Sequence, residues 1–238
     1  MPAHAHLPVL LLPGMDGTGE LLQPLANRLS ARRPVQVVAY PDSEPRSYDE
    51  LTAFVLQRAP PEPFAILGES FSGPIAIEIA ATDRRVAGLI LASSFAHHPM
   101  PALSAGLARA LDPRLVPRRV VEGALLGSAG TPDIKADLAR VLARLPPRLI
   151  RARIAEVLGV DKRDRLRAVT CPMLYLRGRF DRLVRGKSRD EITFLQPGCE
   201  VQTFDAPHML LETHPAEAAA AIDRFCTRLT WSGVSSAP

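Results

Sequence analysis

Short apolar runs alternate with amphipathic stretches along the first part of the chain. The runs have the length and character of buried strands and lie at 8–12, 35–39, 64–68 and 86–92. The stretches carry apolar residues three and four positions apart, which predicts helices at 20–29, 48–57 and 74–81. Alternation of this kind is typical of βαβ units. We therefore predict an α/β fold with a mostly parallel, doubly wound sheet.

The pattern changes after Ser94. Residues 97–160 contain no strand-like run, whereas Leu138, Val141 and Leu142 follow helical spacing. Because prolines punctuate this segment, it predicts about four short helices, inserted as a lid after the fourth strand. Strand-like runs resume at 172–177 and 200–204, and an alanine-rich helix is predicted at 215–229. We expect a single domain over residues 1–238, with the lid at approximately 97–160.

Length and composition agree with one sizeable core, since 47% of the 238 residues are hydrophobic. The N-terminal apolar run has no preceding Lys or Arg and breaks at Pro13 and Gly14, so neither a signal peptide nor a membrane span is expected. A cytoplasmic location is the corresponding expectation. Cys171, Cys199 and Cys226 form no CxxC pair, which favours reduced, inert thiols over a metal site.

The formal net charge of +4 rests on arginines, which crowd between residues 109 and 189. Such a surface could attract an anionic partner. A solvated helical face is the simpler interpretation. Aromatic residues make up 5% of the chain and no nucleic-acid motif is present, so nucleic-acid binding is not expected.

The sharpest chemical signal is the segment ILGESFSGPIAIEIA, in which an apolar strand runs through Gly68 and Ser70 directly into a helix. This context is typical of a nucleophile elbow, whose tight turn requires small residues two positions before and after the nucleophile. Gly68 meets that requirement. Ser72 stands where a second glycine is usual, but it is small and Gly73 follows it. An ordinary glycine-rich turn between strand and helix remains the alternative.

A serine nucleophile needs a base and an acid that orients the base. Asp181 comes just after a predicted strand, and His208 lies in the loop after the next one, where parallel sheets expose functional side chains. Other candidates have simpler explanations. These candidates are His214 at a helix start, His97 and His98 at the lid hinge or the pocket rim, and Asp205 in a turn.

A tetrahedral intermediate also needs two hydrogen-bond donors for its oxygen. The backbone N–H of Phe71, at the start of a helix, is one candidate. The second is Met15, in the glycine-rich loop LLLPGMDGTGE after the first strand. The same loop could cradle a phosphate, but GxGxxG and GxxxxGK[ST] are both absent, which argues against a nucleotide site.

From residue 8 to about residue 229 the chain resembles the α/β-hydrolase superfamily. The resemblance rests on four motifs in order: LLPGMDGTGE, GESFSG, LRGRFDRLV and APHMLLETHP. The LPGMDGTG loop resembles that of a branch of small serine esterases and acyltransferase-like hydrolases. The resemblance implies ester or thioester hydrolysis through an acyl-enzyme, without metal or organic cofactor. It also implies that two N-terminal strands of larger relatives are missing.

These observations predict a serine carboxylester hydrolase in which His208 deprotonates Ser70, Asp181 orients His208, and Met15 and Phe71 bind the oxyanion. An acyl thioesterase or acyltransferase is the alternative, for which the arginine-rich lid could dock an acyl-carrier protein. A non-catalytic ligand-binding protein on the same fold is a further alternative. Apolar lid residues such as Leu138 either form an acyl pocket or only pack against their neighbours.

Overall fold

The structure is a computed structural model, and it describes residues 7–99 and 116–229. Residues 100–115 of the predicted lid, the terminal segment with His4 and His6, and the polar tail after residue 229 lie outside the described residues. None of the helices within those two ranges has the length and apolar character needed to cross a membrane.

The sheet contains six strands in the order β2-β1-β3-β4-β5-β6. The strands are β1 Val9–Leu12, β2 Val35–Val37, β3 Phe64–Glu69, β4 Val86–Ala92, β5 Met173–Gly178 and β6 Glu200–Phe204. Every neighbouring pair in this sheet is parallel. The predicted α/β class and parallel sheet are therefore confirmed, although β2 ends at Val37 rather than at residue 39.

Helices surround the sheet and form an insertion between β4 and β5. They are α1 Gln23–Ser30, α2 Tyr48–Leu56, α3 Gly73–Thr82, α4 Arg118–Leu125, α5 Pro132–Arg144, α6 Pro147–Gly159, α7 Arg163–Ala168, α8 Gly186–Leu195, α9 Leu210–Thr213 and α10 Pro215–Arg228. A short 3₁₀ turn, Ser70–Ser72, joins β3 to α3. Helices α4, α5 and α6 lie in the segment for which the sequence predicts helices and no strands.

The strand periodicity divides the core into two layers. Val9 and Leu11 pack on one face with residues of α1 and α10, whereas Leu10 and Leu12 pack on the other face with residues of α2 and α3. Successive side chains of a strand point to opposite faces, so an all-apolar run such as VLLL suits a sheet that is covered on both sides. This explains why the central strands contain no polar alternation.

The helical insertion contacts the segments that follow the carboxyl ends of the strands. The N–H of Met209, directly after His208, donates to the carbonyl of Leu125 at the end of α4 (3.0 Å). The N–H of Tyr48 donates to Glu156 of α6 (2.9 Å). The insertion therefore contacts the segments that follow β6 and β2.

Candidate active site

Ser70 occupies a strained turn between β3 and α3. Its φ of 45° lies in the left-handed region, which is uncommon for a residue with a side chain. The Ser94 hydroxyl donates to the Ser70 carbonyl at 2.6 Å and holds this backbone in place. Strain of this kind persists only where the surroundings stabilise it, and it is frequent at functional sites.

Gly68 permits strand and helix to approach each other closely at this turn. A Cβ added to Gly68 would lie 2.6 Å from the Ser72 carbonyl oxygen and 2.8 Å from the Ala76 Cβ. Ser72, where a glycine is usual, is buried and its hydroxyl contacts both the Pro13 carbonyl and the Tyr40 hydroxyl. The extra atoms of Ser72 therefore satisfy a buried carbonyl next to the loop after β1.

We expect Gly68→Ala to lower the free energy of unfolding by about 2–3 kcal/mol, because the new methyl group would collide with backbone atoms that cannot move independently. Urea unfolding followed by circular dichroism measures this change. Gly159→Ala is the matched control, since a Cβ there has nothing within 4 Å and the residue ends α6. Equal stability of the two variants would contradict the close approach at Gly68.

Three side chains from separate loops form a hydrogen-bonded chain. Ser70 Oγ lies 2.8 Å from His208 Nε2, and His208 Nδ1 lies 2.9 Å from Asp181 Oδ2. The Asp181 and His208 side chains are only 3% and 6% exposed. With Nδ1–H donating to the carboxylate, Nε2 is free to accept the Ser70 proton.

The orientation of Asp181 is fixed by its own turn. Its Oδ1 accepts the N–H groups of Leu183 (2.8 Å) and Val184 (2.9 Å), which leaves Oδ2 to face His208. Gly178, at the end of β5, allows the loop before His208 to pass nearby, because a Cβ there would lie 2.2 Å from the Pro207 carbonyl oxygen. The glycine in LRGRFD therefore contributes to bringing acid and histidine together.

Hydrogen bonds from two directions, from Glu69 and from Arg153, fix the loop after β1. The Gly14 N–H donates to Glu69 Oε2 at 3.0 Å, and the Gly14 carbonyl accepts the Gly17 N–H at 3.1 Å. From α6, Arg153 Nη1 donates to the carbonyls of Met15 and Asp16, each at 2.8 Å. Met15, between these contacts, lines the same cavity as Ser70. Sequence reasoning missed the roles of Glu69 and Arg153 here.

Phe71, directly after Ser70, is completely buried. Its ring stacks on Tyr48 with centroids 4.9 Å apart and meets Tyr40 edge-on at 6.3 Å. These contacts fix the backbone at the start of the 3₁₀ turn, where N–H groups have no partner within the helix. Its N–H therefore has the helix-terminal position that the sequence predicts for it.

Buried acids lie beside these residues. Burial raises the pKa of Glu69 to about 7, and it raises the pKa of Asp16 and, further, that of Glu212. Burial also lowers the pKa of the Arg153 guanidinium. The site thus contains several carboxyl groups whose charge states depend on one another.

A cavity of about 1040 Å³ opens over Ser70 and His208. Its walls include apolar residues of the insertion, among them Val121, Leu125, Leu138, Leu142, Ile150 and Ile154. Leu138 and Val141 also pack against Leu21 and Met209. The insertion residues therefore serve both as core and as cavity wall, so the two alternatives drawn from the sequence are not exclusive.

The competing residues lie in other surroundings. Asp205 is exposed and pairs with Arg179 at 3.1 Å, and His214 Nδ1 contacts the Thr213 hydroxyl at 2.9 Å. The rings of His97 and His98 contact each other at a tilt of 44°, with centroids 4.0 Å apart. Of the histidines in the described ranges, His208 is the one that contacts Ser70.

Comparison with known proteins agrees with this architecture. The sequence profile of the alpha/beta hydrolase family matches residues 9–221, and the chain belongs to this family. Among curated proteins, no sequence matches the chain.

Solved structures match at low sequence identity. The enol-lactonase from Burkholderia xenovorans LB400 superposes with a TM-score of 0.82 at 16% identity, covering 93% of this chain and 92% of that one. The esterase from Exiguobacterium antarcticum gives a TM-score of 0.81 at 15% identity, with 93% and 92% covered. A thermophilic esterase from Thermogutta terrifontis gives 0.76 at 21% identity, with 94% and 90% covered. At these identities the likeness concerns the fold.

Proposed function

We propose that the protein is a serine carboxylester hydrolase that acts through an acyl-enzyme on Ser70. The observation that carries this proposal is the chain from Ser70 through His208 to Asp181, at 2.8 and 2.9 Å, on a strained turn at the base of an apolar cavity. A hydrogen-bonded serine, histidine and carboxylate in this order are the parts of an activated nucleophile.

The reaction begins when His208 Nε2 takes the proton of Ser70 as Oγ attacks the ester carbonyl. Asp181 holds the imidazole with Nε2 toward Ser70 and stabilises the imidazolium that forms. The imidazolium then protonates the leaving alcohol, and the acyl group remains on Oγ. Water, deprotonated by His208, attacks the acyl-enzyme and releases the acid.

The N–H groups of Met15 and Phe71 bind the negative oxygen of the tetrahedral intermediate. Both belong to backbone that is fixed from several directions, by Arg153 on one side and by the aromatic stack around Phe71 on the other. Donors that are already in place need no reorganisation when charge develops, which is the source of their catalytic effect.

The insertion acts as a lid whose apolar side chains accept the acyl group and exclude water. Alkyl chains gain about 0.8 kcal/mol for each buried CH₂ group. The volume of about 1040 Å³ is sufficient for a medium-length acyl chain together with its alcohol. Small esterases with an LPGMDGTG-like loop are the branch to which we assign the chain.

Hydrolysis of p-nitrophenyl esters from acetate to palmitate tests the proposal and locates the preferred chain length. We expect turnover with an optimum among medium chains. Linear esters, lactones and acyl thioesters belong in one panel, because the same three residues serve any activated acyl group. Absence of turnover on every ester would contradict the carboxylester assignment, and turnover restricted to thioesters would replace it with a thioesterase.

We expect Ile154→Trp to move the chain-length optimum toward shorter acyl groups. Ile154 is half-buried on α6 and lines the cavity, so the indole would occupy space that a longer chain uses. The specificity constant for decanoate relative to acetate should fall at least about tenfold. Ile154→Val is the control and should leave the ratio nearly unchanged. An unchanged ratio in the tryptophan variant would place the acyl chain elsewhere.

A further inference from the structure

Two buried carboxyl groups meet directly beside the nucleophile. Glu69 is the last residue of β3 and precedes Ser70, and Glu212 lies in α9, four residues after His208. Both line the cavity, yet they are only 6% and 7% exposed. Burial raises the pKa of both carboxyl groups, and a side-chain hydrogen bond between them lowers the pKa of Glu69 and raises that of Glu212. The mechanism described above uses neither.

Contact between two buried carboxyl groups requires a proton between them, because two like charges at this distance cannot both persist without solvent. Glu69 Oε2 accepts the Gly14 N–H, so Glu69 is placed as an acceptor. Glu212 Oε2 is buried and finds no hydrogen-bond donor among the described residues. Glu212 is therefore the group that keeps the proton and donates it toward Glu69.

We propose that Glu69 and Glu212 share one proton during turnover and that the singly charged pair positions the oxyanion loop, which is the loop after β1 that contains Met15, and supports the protonated form of His208. The proposal rests on the proposed function, since it assigns the pair a part in the same reaction. Glu69 and Glu212 are positioning residues, because they act through Gly14 and His208 rather than on the reacting atoms.

The connection to the oxyanion loop runs through one peptide unit. Glu69 holds the Gly14 N–H, and the Gly14 carbonyl accepts from Gly17. The next N–H belongs to Met15 and lies in the same plane as the Gly14 carbonyl, pointing the opposite way. Fixing Gly14 at both its N–H and its carbonyl therefore sets the direction of the Met15 N–H.

The connection to His208 is electrostatic. The titratable groups that act on Glu69 are His208, whose protonated form favours the ionised carboxylate, and Asp16, which opposes it, while Tyr40 stands neutral close by. Glu212 faces Glu69 and Asp16. An ionised Glu69 is thus a second negative charge near the imidazole, in addition to Asp181, and stabilises the imidazolium that forms during the reaction.

Glu69→Gln tests the charge while keeping the shape. The amide oxygen still accepts the Gly14 N–H, and the NH₂ group faces Glu212. We expect kcat at pH 8 to fall about tenfold or more with KM little changed. The part of the pH profile that arises from Glu69 ionisation, whose pKa is raised to about 7 by burial, should disappear. A wild-type kcat and an unaltered profile would overturn the proposal.

Two substitutions of Glu212 separate hydrogen bonding from packing. Glu212→Gln still donates to Glu69, so the acid limb of its kcat profile should keep the position that it has in wild type. Glu212→Leu removes the donor that lowers the pKa of Glu69, so the acid limb of the profile should move to higher pH by about one unit. If the leucine and glutamine variants have the same profile, the shared proton is excluded.

The pH dependence of thermal stability tests the ionisation of Glu69 independently of enzyme activity. Burial raises the pKa of Glu69 from 4.5 to about 7, so the folded protein binds more protons than the unfolded chain in this window, and stability declines as pH rises through it. In Glu69→Gln this decline should be reduced, giving a Tm several degrees above that of wild type at pH 8. Identical pH dependence of Tm in wild type and Glu69→Gln would overturn the proposal for Glu69 and Glu212.

The two readouts distinguish failure of the pair from failure of the proposed function. Ester turnover by wild type, with no effect of Glu69→Gln on either kcat or Tm, would retain the hydrolase and reject the pair. The expected Tm difference without turnover of any ester by wild type would show that the buried Glu69 titrates in the folded protein but would reject a part for the pair in catalysis.

Discussion

Ser70→Ala is expected to lower kcat for ester hydrolysis by a factor of about 10⁴ to 10⁶. The Ser70 hydroxyl, 2.8 Å from His208 Nε2, is the atom on which the acyl group would be carried, and alanine offers no substitute. Residual turnover would come from the oxyanion donors and from binding alone. KM should change little, because the hydroxyl contributes mainly to the transition state. Stopped-flow and steady-state assays on a medium-chain p-nitrophenyl ester measure both constants.

Ser188→Ala is the matched control for this substitution. Ser188 is also a buried serine, but it lies in α8 and is absent from the cavity lining. Its replacement should leave kcat within about threefold of wild type. A similar loss of activity in both variants would indicate general destabilisation, and retention of activity by Ser70→Ala would remove Ser70 from the mechanism.

Asp181→Asn should lower kcat by a factor of about 10⁴ without changing the fold. Asp181 Oδ1 accepts two backbone N–H groups, so the amide oxygen of asparagine must occupy that position and the NH₂ group must face His208 Nδ1. His208 would then accept at Nδ1 and carry its proton on Nε2, which could no longer take the Ser70 proton. The substitution therefore keeps the contact between residue 181 and His208 but reverses which ring nitrogen of His208 carries the proton.

Asp205→Asn provides the comparison for the acid. Asp205, like His208, lies in the loop that follows β6. It is exposed, and among the described residues it pairs only with Arg179. An exposed pair of this kind contributes about 0–1 kcal/mol, so activity and stability should be close to wild type. Equal losses in the two variants would contradict the assignment of Asp181 as the orienting acid.

The sequence was sufficient to predict the sheet because the central strands are uniformly apolar and short. Val9–Leu12 and Val86–Ala92 are buried on both faces, which leaves a continuous hydrophobic run that helices do not require. In contrast, α8 was not predicted. It buries only Ser188 and Ile192 while Phe194 is 80% exposed, so its sequence has almost no amphipathic pattern.

For the candidate site, motif context placed Ser70, Asp181 and His208 at the ends of strands, and the structure brings their side chains into one hydrogen-bonded chain. The sequence did not identify the residues that contact the site from distant positions in the chain. Arg153 reaches Met15 from α6, and Glu212 meets Glu69 from α9. Nothing in the spacing of these residues indicates such contacts, which depend on how helices pack over the loops.

The arginine-rich segment illustrates the same limit. In the described part of the insertion, Arg118 pairs with Glu122, and Arg140 and Arg144 both pair with Glu20. These ion pairs are exposed and fit a solvated face. Docking of an acyl-carrier protein on this surface stays a prediction, for which loss of thioester turnover with added salt is the signature.

Covalent labelling tests the central claim most directly. The folded wild-type protein is incubated with a fluorophosphonate probe, digested, and the modified peptide is located by mass spectrometry. We predict one adduct on Ser70, absent from Ser70→Ala and strongly slowed in Asp181→Asn, because the probe reacts only with a serine that His208 has activated. A folded protein that gives no adduct, or an adduct on another residue, would contradict the assignment of Ser70 as nucleophile.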